Sequence, residues 1–446
     1  MRNALPPRAT LPRQPLGLID SFKAARRNLL DIIPEAALHQ PIVSGNQAAR
    51  WHMITEPDAI RRVLRDRLDD YPKSDVTKSI LRPAIGNSLF VAEGDDWRWQ
   101  RRAAAPVFTH RNVANLSPIM SQAAERAAGR IAGAEGRAAD MLAEMVTATF
   151  EVISDVTFSG DEGFDRAALH HAIDGYINGA AKVSFFDMLN LPDWVPRPSR
   201  VVASGTMNAM KSMADGVIEA RSDGHRRDLL DLLLAGEDPD TKRKMTTPEL
   251  RDNLLAFIVA GHETTALTLA WALYLCAFDQ GVQDRARAEA QAVLGERVAA
   301  QSDIDALPYI RQIIDEALRL YPPAGILSRS ARERDELCGT EILKGDTVML
   351  PVYALHRSRQ LWDNPDHFDP DRFAPGHKTA RFTYLPFGDG PRICIGMSFA
   401  IQEAVIILAT LLARFRFTLV PGKTPQPVLI VTTRPEGGVW LNVDAA

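Results

Sequence analysis

The sequence predicts one large, mainly α domain with a smaller β portion, and three observations carry that expectation. The first is MTTPELRDNLLAFIVAGHETTALTLAWALYLCAF, from Met245 to Phe278, apolar almost throughout apart from a short central insert. A helix apolar on every side must be buried. At 1.5 Å per residue it is roughly 45 Å long, enough to cross a whole domain. The second is Cys394, placed at the mouth of another apolar helical run, MSFAIQEAVIILATLLARF. The third is that short strand patterns gather at 41–54 and after Pro323, and no linker of disordered composition divides the chain. The expected division is an N-terminal extension over 1–40 and one domain over 41–446.

Composition narrows the function classes. Across 446 residues, 46% hydrophobic and 24% charged side chains describe an ordinary globular protein. A formal net charge of -4 argues against nucleic acid, which would require a basic face or tail. Cys276, Cys338 and Cys394 lack metal-site spacing, so a zinc site or disulfide framework is not expected and a reducing compartment is. The Pro- and Arg-rich N-terminus has neither an apolar run long enough for a bilayer nor the h-region of a signal peptide. A cytoplasmic protein without a membrane span is the expectation.

In chain order, 41–54 reads as two short strands around a Ser-Gly-Asn turn, followed by a helix from about Glu56. Residues 71–93, rich in Pro, Gly, Asn and Ser, read as a long loop. Asp95 or Asp96 is placed to cap a helix carrying Trp97 and Arg101 one turn apart. Residues 118–235 read as Ala- and Leu-rich helices broken at Gly160–Gly163 and at NLPDWVPRPSR, the latter preceded by Phe185 and Phe186.

The long apolar helix starts either with Thr246 and Glu249 as a capping box or with Thr247 as cap and Pro248 at the first position. Into its middle the sequence inserts Ala260, Gly261, His262, Glu263, Thr264 and Thr265. A glycine and polar groups there cost stability. Thr264 bonding the carbonyl four residues back would account for the threonine, but for neither Gly261 nor Glu263. Glu316 and Arg319 then share a helix face among apolar neighbours, and Arg372 supplies a second arginine. Beyond Pro322–Pro323 the chain turns to strands, with Arg329 in the first. A hairpin about Lys344–Gly345 runs to His356, read as a structural histidine, and a final pair of strands closes the chain.

Phe387, Gly390, Arg392, Cys394 and Gly396 form an F-x-x-G-x-R-x-C-x-G pattern. A cysteine at a helix mouth lies near unpaired amide donors and the positive end of the helix dipole, both favouring the metal-binding thiolate. The loop resembles the heme-ligand loop of the cytochromes P-450, the heme-thiolate monooxygenases, and the resemblance covers about residues 40–443.

That resemblance implies a P-450-like fold, of the soluble bacterial type, with heme b (iron protoporphyrin IX) bound through Cys394 as the metal ligand. It implies that Trp97, Arg101, Arg329 and Arg392 hold the heme carboxylates, and that Phe387, Gly396 and Gly261 belong to the cofactor site. Glu263 and Thr264, in an A/G-G-x-D/E-T motif, would be catalytic and deliver protons where dioxygen binds. Glu316, Arg319 and Arg372 would form the family's structural triad, and the segment near 180–200 its pocket lid. The partners implied are a lipophilic small-molecule substrate, dioxygen, and a ferredoxin with its reductase, since no flavin or nicotinamide module fits beside the matched stretch. The alternatives are a heme-thiolate peroxygenase and a non-catalytic heme-binding sensor or carrier. The Glu263–Thr264 pair counts against the first, while the second needs the thiolate site but no proton relay, and NADPH oxidation with added redox partners separates it from a monooxygenase.

Overall fold

The computed structural model describes residues 4–46, 49–158, 198–221, 228–377 and 379–446, with three isolated positions between 158 and 198. The expected break at Gly160–Gly163 and the lid segment lie outside the described residues. The exception is 198–200, which open the helix Pro198–Ala220.

The central helix runs from Thr247 to Phe278 over 32 residues. Its start is the capping box: Thr246 is the cap, Pro248 lies in the first turn, and Glu249 accepts the Thr246 backbone N–H at 2.9 Å. Leu254, Ile258, Ala266, Leu269 and Trp271 are fully buried along it. The helices Met141–Phe158, Pro308–Leu320 and Met397–Arg414 pack around it. Gly261 has a packing reason, because a Cβ there would stand 3.2 Å from Ile153 of the neighbouring helix. His262 turns to that same helix, edge-on to Phe150 at 5.8 Å between ring centres.

A four-stranded sheet has the order Ile42–Gly45, Trp51–Ile54, Thr347–Leu350, Leu327–Ser330, with its middle pair parallel. A three-stranded sheet joins Arg137–Asp140, Trp440–Ala445 and Phe415–Leu419, and Gln426–Leu429 forms a separate hairpin with Thr433–Glu436. The expected final pair is thus four strands divided between two sheets. The expected hairpin about Lys344–Gly345 is also not formed. Thr340–Ile342 pairs with Asp335–Leu337, while Thr347–Leu350 belongs to the four-stranded sheet. Asp346 explains the change of sheet. Its carboxylate accepts the Leu343 N–H at 2.8 Å, tightening the turn, and also meets Arg50 and His52 beside the Trp51–Ile54 strand.

Two further expectations are corrected. Residues 71–93 contain the helix Asp75–Ile85, capped by Ser74, with Pro83 inside it. The Trp97 helix begins at Gly94 with Glu93 as its cap, so neither Asp95 nor Asp96 caps it. At the other end of the chain, Leu30, Ile33 and Ala37 are buried, and the Asn28 side chain accepts the Leu429 N–H at 2.8 Å.

Candidate active site

A cavity of about 670 Å³ lies between the central helix and the cysteine loop. Trp97, Arg101, Gly261, Glu263, Thr264, Arg329, Phe387, Arg392, Cys394 and Gly396 all line it. The structure thus brings together every site residue picked from the sequence. Its walls are otherwise largely apolar, with Ile80, Leu81, Val259, Ile326, Leu327 and Val431 among them.

The cysteine loop forms one side. Cys394 donates its backbone N–H to the Phe387 carbonyl at 2.9 Å, closing the loop just ahead of the helix Met397–Arg414. Gly390 has φ +75°, and a Cβ on it would lie 2.5 Å from the Leu64 carbonyl oxygen, so only glycine fits there. A Cβ at Gly396 would meet nothing within 4 Å, which leaves the backbone beside Cys394 open. Cys394 is itself exposed, because its free face looks into the cavity. The expectation that the helix mouth favours the thiolate is met only in part. Burial is the largest influence and raises the Cys394 pKa, while the Gly396 N–H and the Arg101 charge pull it down. Metal coordination would deprotonate such a thiol outright.

A group of cations stands at one edge. Arg392 donates to the Ala92 carbonyl at 3.0 Å, pairs with Glu93, and stacks over the Trp97 ring at 4.3 Å. Arg329 is buried, and its Nε has no partner among the described residues. Burial and the nearby Arg392 push its pKa down to about 10. Lys73, which the sequence reading missed, also lines the cavity. Burial depresses its pKa strongly, with Arg392 and Arg329 adding to the effect. Nothing in its YPKSD context marks it out. Arg101 has no carboxylate partner among the described residues, and its charge acts on Cys394. Glu93 offsets the charges of Lys73, Arg329 and Arg392, with Asp69 acting on Arg392 as well.

This donor set fits heme b. A single thiol faces a large, mostly apolar cavity, and an under-neutralised cation cluster at its edge matches the two carboxylates of that cofactor. Among the described residues no three His, Cys, Asp or Glu side chains converge on a metal position, so Cys394 stands as a lone thiolate donor.

The central helix forms the facing wall. Thr264 donates its hydroxyl to the Ala260 carbonyl at 2.8 Å. Glu263 is buried, and its Oε1 accepts from the Thr432 hydroxyl at 2.8 Å and from the Arg434 guanidinium. Thr432 and Arg434 were also missed, since they come from the C-terminal hairpin and belong to no motif.

The structural triad sits behind the loop. Glu316 and Arg319 are fully buried and paired at 2.6 Å, with Arg372 at 3.4 Å from the same carboxylate. Arg319 also donates to the carbonyls of His356, Pro365 and His367. His356 is satisfied as expected: Nε2 accepts the Leu385 N–H at 2.8 Å, and Nδ1 bonds the Arg319 carbonyl at 3.1 Å.

Residues 44–441 match the sequence profile described as Cytochrome P-450. Cyclooctatin synthase of Streptomyces melanosporofaciens is 32% identical over 387 residues, covering 85% of this chain and 83% of that protein. Cyclooctat-9-en-7-ol 5-monooxygenase of the same organism is 31% identical over 384 residues, covering 84% and 82%. Among solved structures, the heme domain of cytochrome P450DA is similar with a TM-score of 0.80 at 26% identity, covering 96% of this chain and 92% of that one. Fold and site thus define a heme-thiolate enzyme, and the chain belongs to the cytochrome P-450 family. It is a heme monooxygenase that uses dioxygen, a substrate and electrons from redox partners.

Proposed function

We propose that this enzyme oxygenates a lipophilic small molecule, with Cys394 as the iron ligand and Glu263 and Thr264 serving proton delivery. One observation carries the reading: Cys394, in the loop ahead of the helix Met397–Arg414, and the Glu263–Thr264 pair of the central helix line one cavity. Heme bound there supplies the oxygen-activating chemistry, favoured by electron density from the thiolate. The chain's own residues do the rest. Arg101, Arg329, Arg392 and Lys73 hold the carboxylate edge, and Phe387, Gly261 and Gly396 shape the walls that receive the ring. The apolar walls select a lipophilic substrate and exclude water, so protons must pass through side chains. Thr264 spends its one hydroxyl proton on Ala260, and its oxygen therefore offers lone pairs rather than a donor. It can hold a water or a protonated group in line. Glu263 is the group that takes up and releases a proton.

Ferredoxin and its reductase are the proposed electron donors, as the family resemblance implies. The proposed compartment is the cytoplasm, consistent with the free cysteines Cys276, Cys338 and Cys394. A protein without a membrane span is supported by the two helices long and apolar enough to cross a bilayer, Thr247–Phe278 and Met397–Arg414. Their most apolar windows are 72% and 78% buried inside the fold.

The relay is tested with Thr264→Ala and a substrate that shifts the iron spin state. Heme and substrate binding persist and NADPH is still consumed. Product per NADPH falls roughly tenfold or more, within the range of a lost proton-transfer contact, while hydrogen peroxide rises to match. Full coupling in Thr264→Ala removes the residue from the reaction.

A further inference from the structure

We propose that Asn253 of the central helix is a positioning residue that, with Gln100, holds residues 86–93 as a fixed wall of the cavity and so sets the size of group the cavity accepts. The inference deepens the reading of this cavity as the heme and substrate site, and rests on it. Asn253 is fully buried between the apolar positions Leu250 and Leu254, where an apolar side chain would cost less than an unpaired amide. Its amide is paired throughout. Oδ1 accepts the Leu89 N–H at 2.8 Å, and Nδ2 donates to the Gln100 Oε1 and to the Glu249 carbonyl, both at 2.9 Å. Gln100, itself buried, donates in turn to the Asn87 carbonyl at 3.1 Å.

The clasp closes around one short stretch. Asp252, beside Asn253 on the helix, accepts the Asn87 N–H at 3.0 Å. Gly86 has φ +53°, and a Cβ there would stand 1.8 Å from that carboxylate, so glycine lets the stretch come this close. Both backbone polar groups of Asn87 and the N–H of Leu89 thus end on side chains of two helices. The far end of the stretch is tied at the cation cluster, where Arg392 holds the Ala92 carbonyl and pairs with Glu93. Between these anchors the backbone is wound on itself, with the Val91 and Ala92 N–H groups both on the Ser88 carbonyl at 2.8 Å. Leu89 and Phe90 line the cavity from this stretch, and Val259 and Ala260 line it about two turns beyond Asn253. A wall fixed at both ends is ordered before a ligand arrives, so binding does not carry the cost of ordering it. Without the clasp, a group large enough to reach this wall binds more weakly, and a small one is unaffected.

The test uses full-length, heme-loaded protein with Asn253→Leu, Asn253→Asp, Gln100→Met and the Gln100→Met/Asn253→Leu double variant. It reads deuterium uptake over 86–93 by mass spectrometry, and the affinities of imidazole and 4-phenylimidazole from their spectral shifts at the iron. In Asn253→Leu the Leu89 N–H loses its acceptor, and exchange over 86–93 rises roughly tenfold or more while 262–272 keeps its wild-type exchange. The affinity for 4-phenylimidazole falls roughly tenfold, whereas that for imidazole stays within about twofold. Asn253→Asp keeps an acceptor for Leu89 and restores both readings. Gln100→Met moves both the same way by a smaller factor, and the double variant adds nothing to Asn253→Leu, as one shared clasp requires. Where Asn253→Leu loses heme, Gln100→Met supplies the ligand reading and exchange is compared on the apoproteins. Wild-type exchange over 86–93 without the asparagine, or an unchanged ratio of the two affinities, overturns the proposal. Absence of any imidazole shift in the wild type instead marks failure of the heme-site reading on which it rests.

Discussion

At the scale of single residues, the heme-edge cations show how a local motif and a distant partner combine. Trp97 and Arg101 were legible because one helical turn separates them, and Arg392 because it sits two residues before the cysteine. Lys73 and Glu93 were not, because charge balance is a property of the assembled edge and leaves no spacing in the sequence. Their presence ranks the arginines. On the proposed assignment Arg329 would give a heme carboxylate a charge-assisted bond, so Arg329→Ala should weaken heme retention by about 1.5–3 kcal/mol. Arg392→Ala costs more, because Glu93 then faces the heme carboxylates without its cation. Heme transfer to excess apomyoglobin measures both. Equal loss rates for the two variants would contradict the shared-charge picture.

At the scale of elements, the buried helices were legible and the strand pairings were not. A capping box and a continuous apolar run fix the central helix locally, whereas the partner of Thr347–Leu350 lies across the chain at Trp51–Ile54. The helix Asp75–Ile85, capped by Ser74 and with Pro83 inside it, lies within a stretch whose Pro, Gly, Asn and Ser content spells a loop. His356 links elements in the same non-local way, bonding the end of the Arg319 helix to Leu385 just before the cysteine loop. Burial pushes its pKa down to about 3, with Arg319 adding to the effect. An unfolded histidine titrates near 6.5. Between these values the unfolded chain binds a proton that the folded protein refuses. Stability from this site is therefore complete above about pH 6.5 and is lost as the pH falls toward 3. At pH 5 the loss is about 2 kcal/mol. Denaturant titrations at pH 7 and pH 5 should show that loss shrinking by this amount in His356→Gln, and an unchanged loss would contradict the neutral-histidine assignment.

At the scale of the whole molecule, the cavity exists only because separate stretches converge on it. Ala25, Leu29 and Ile32 near the N-terminus, Lys73 and Ile80 beyond the first strands, the central helix, the cysteine loop and Thr432 all contribute to its wall. The motifs marked the chemistry at Cys394 and at Glu263–Thr264. The enclosure, and the pairing of Glu263 with Arg434, arise from tertiary packing alone. Everything proposed for the site depends on the sulfur of Cys394 reaching iron, and the spectrum of the reduced protein under carbon monoxide reports that bond directly. The wild type, Cys276→Ala and Cys338→Ala should each show the strongly red-shifted Soret band of thiolate ligation, and Cys394→Ala should lose it. Retention of that band in Cys394→Ala, or its absence from the wild type, would contradict the assignment.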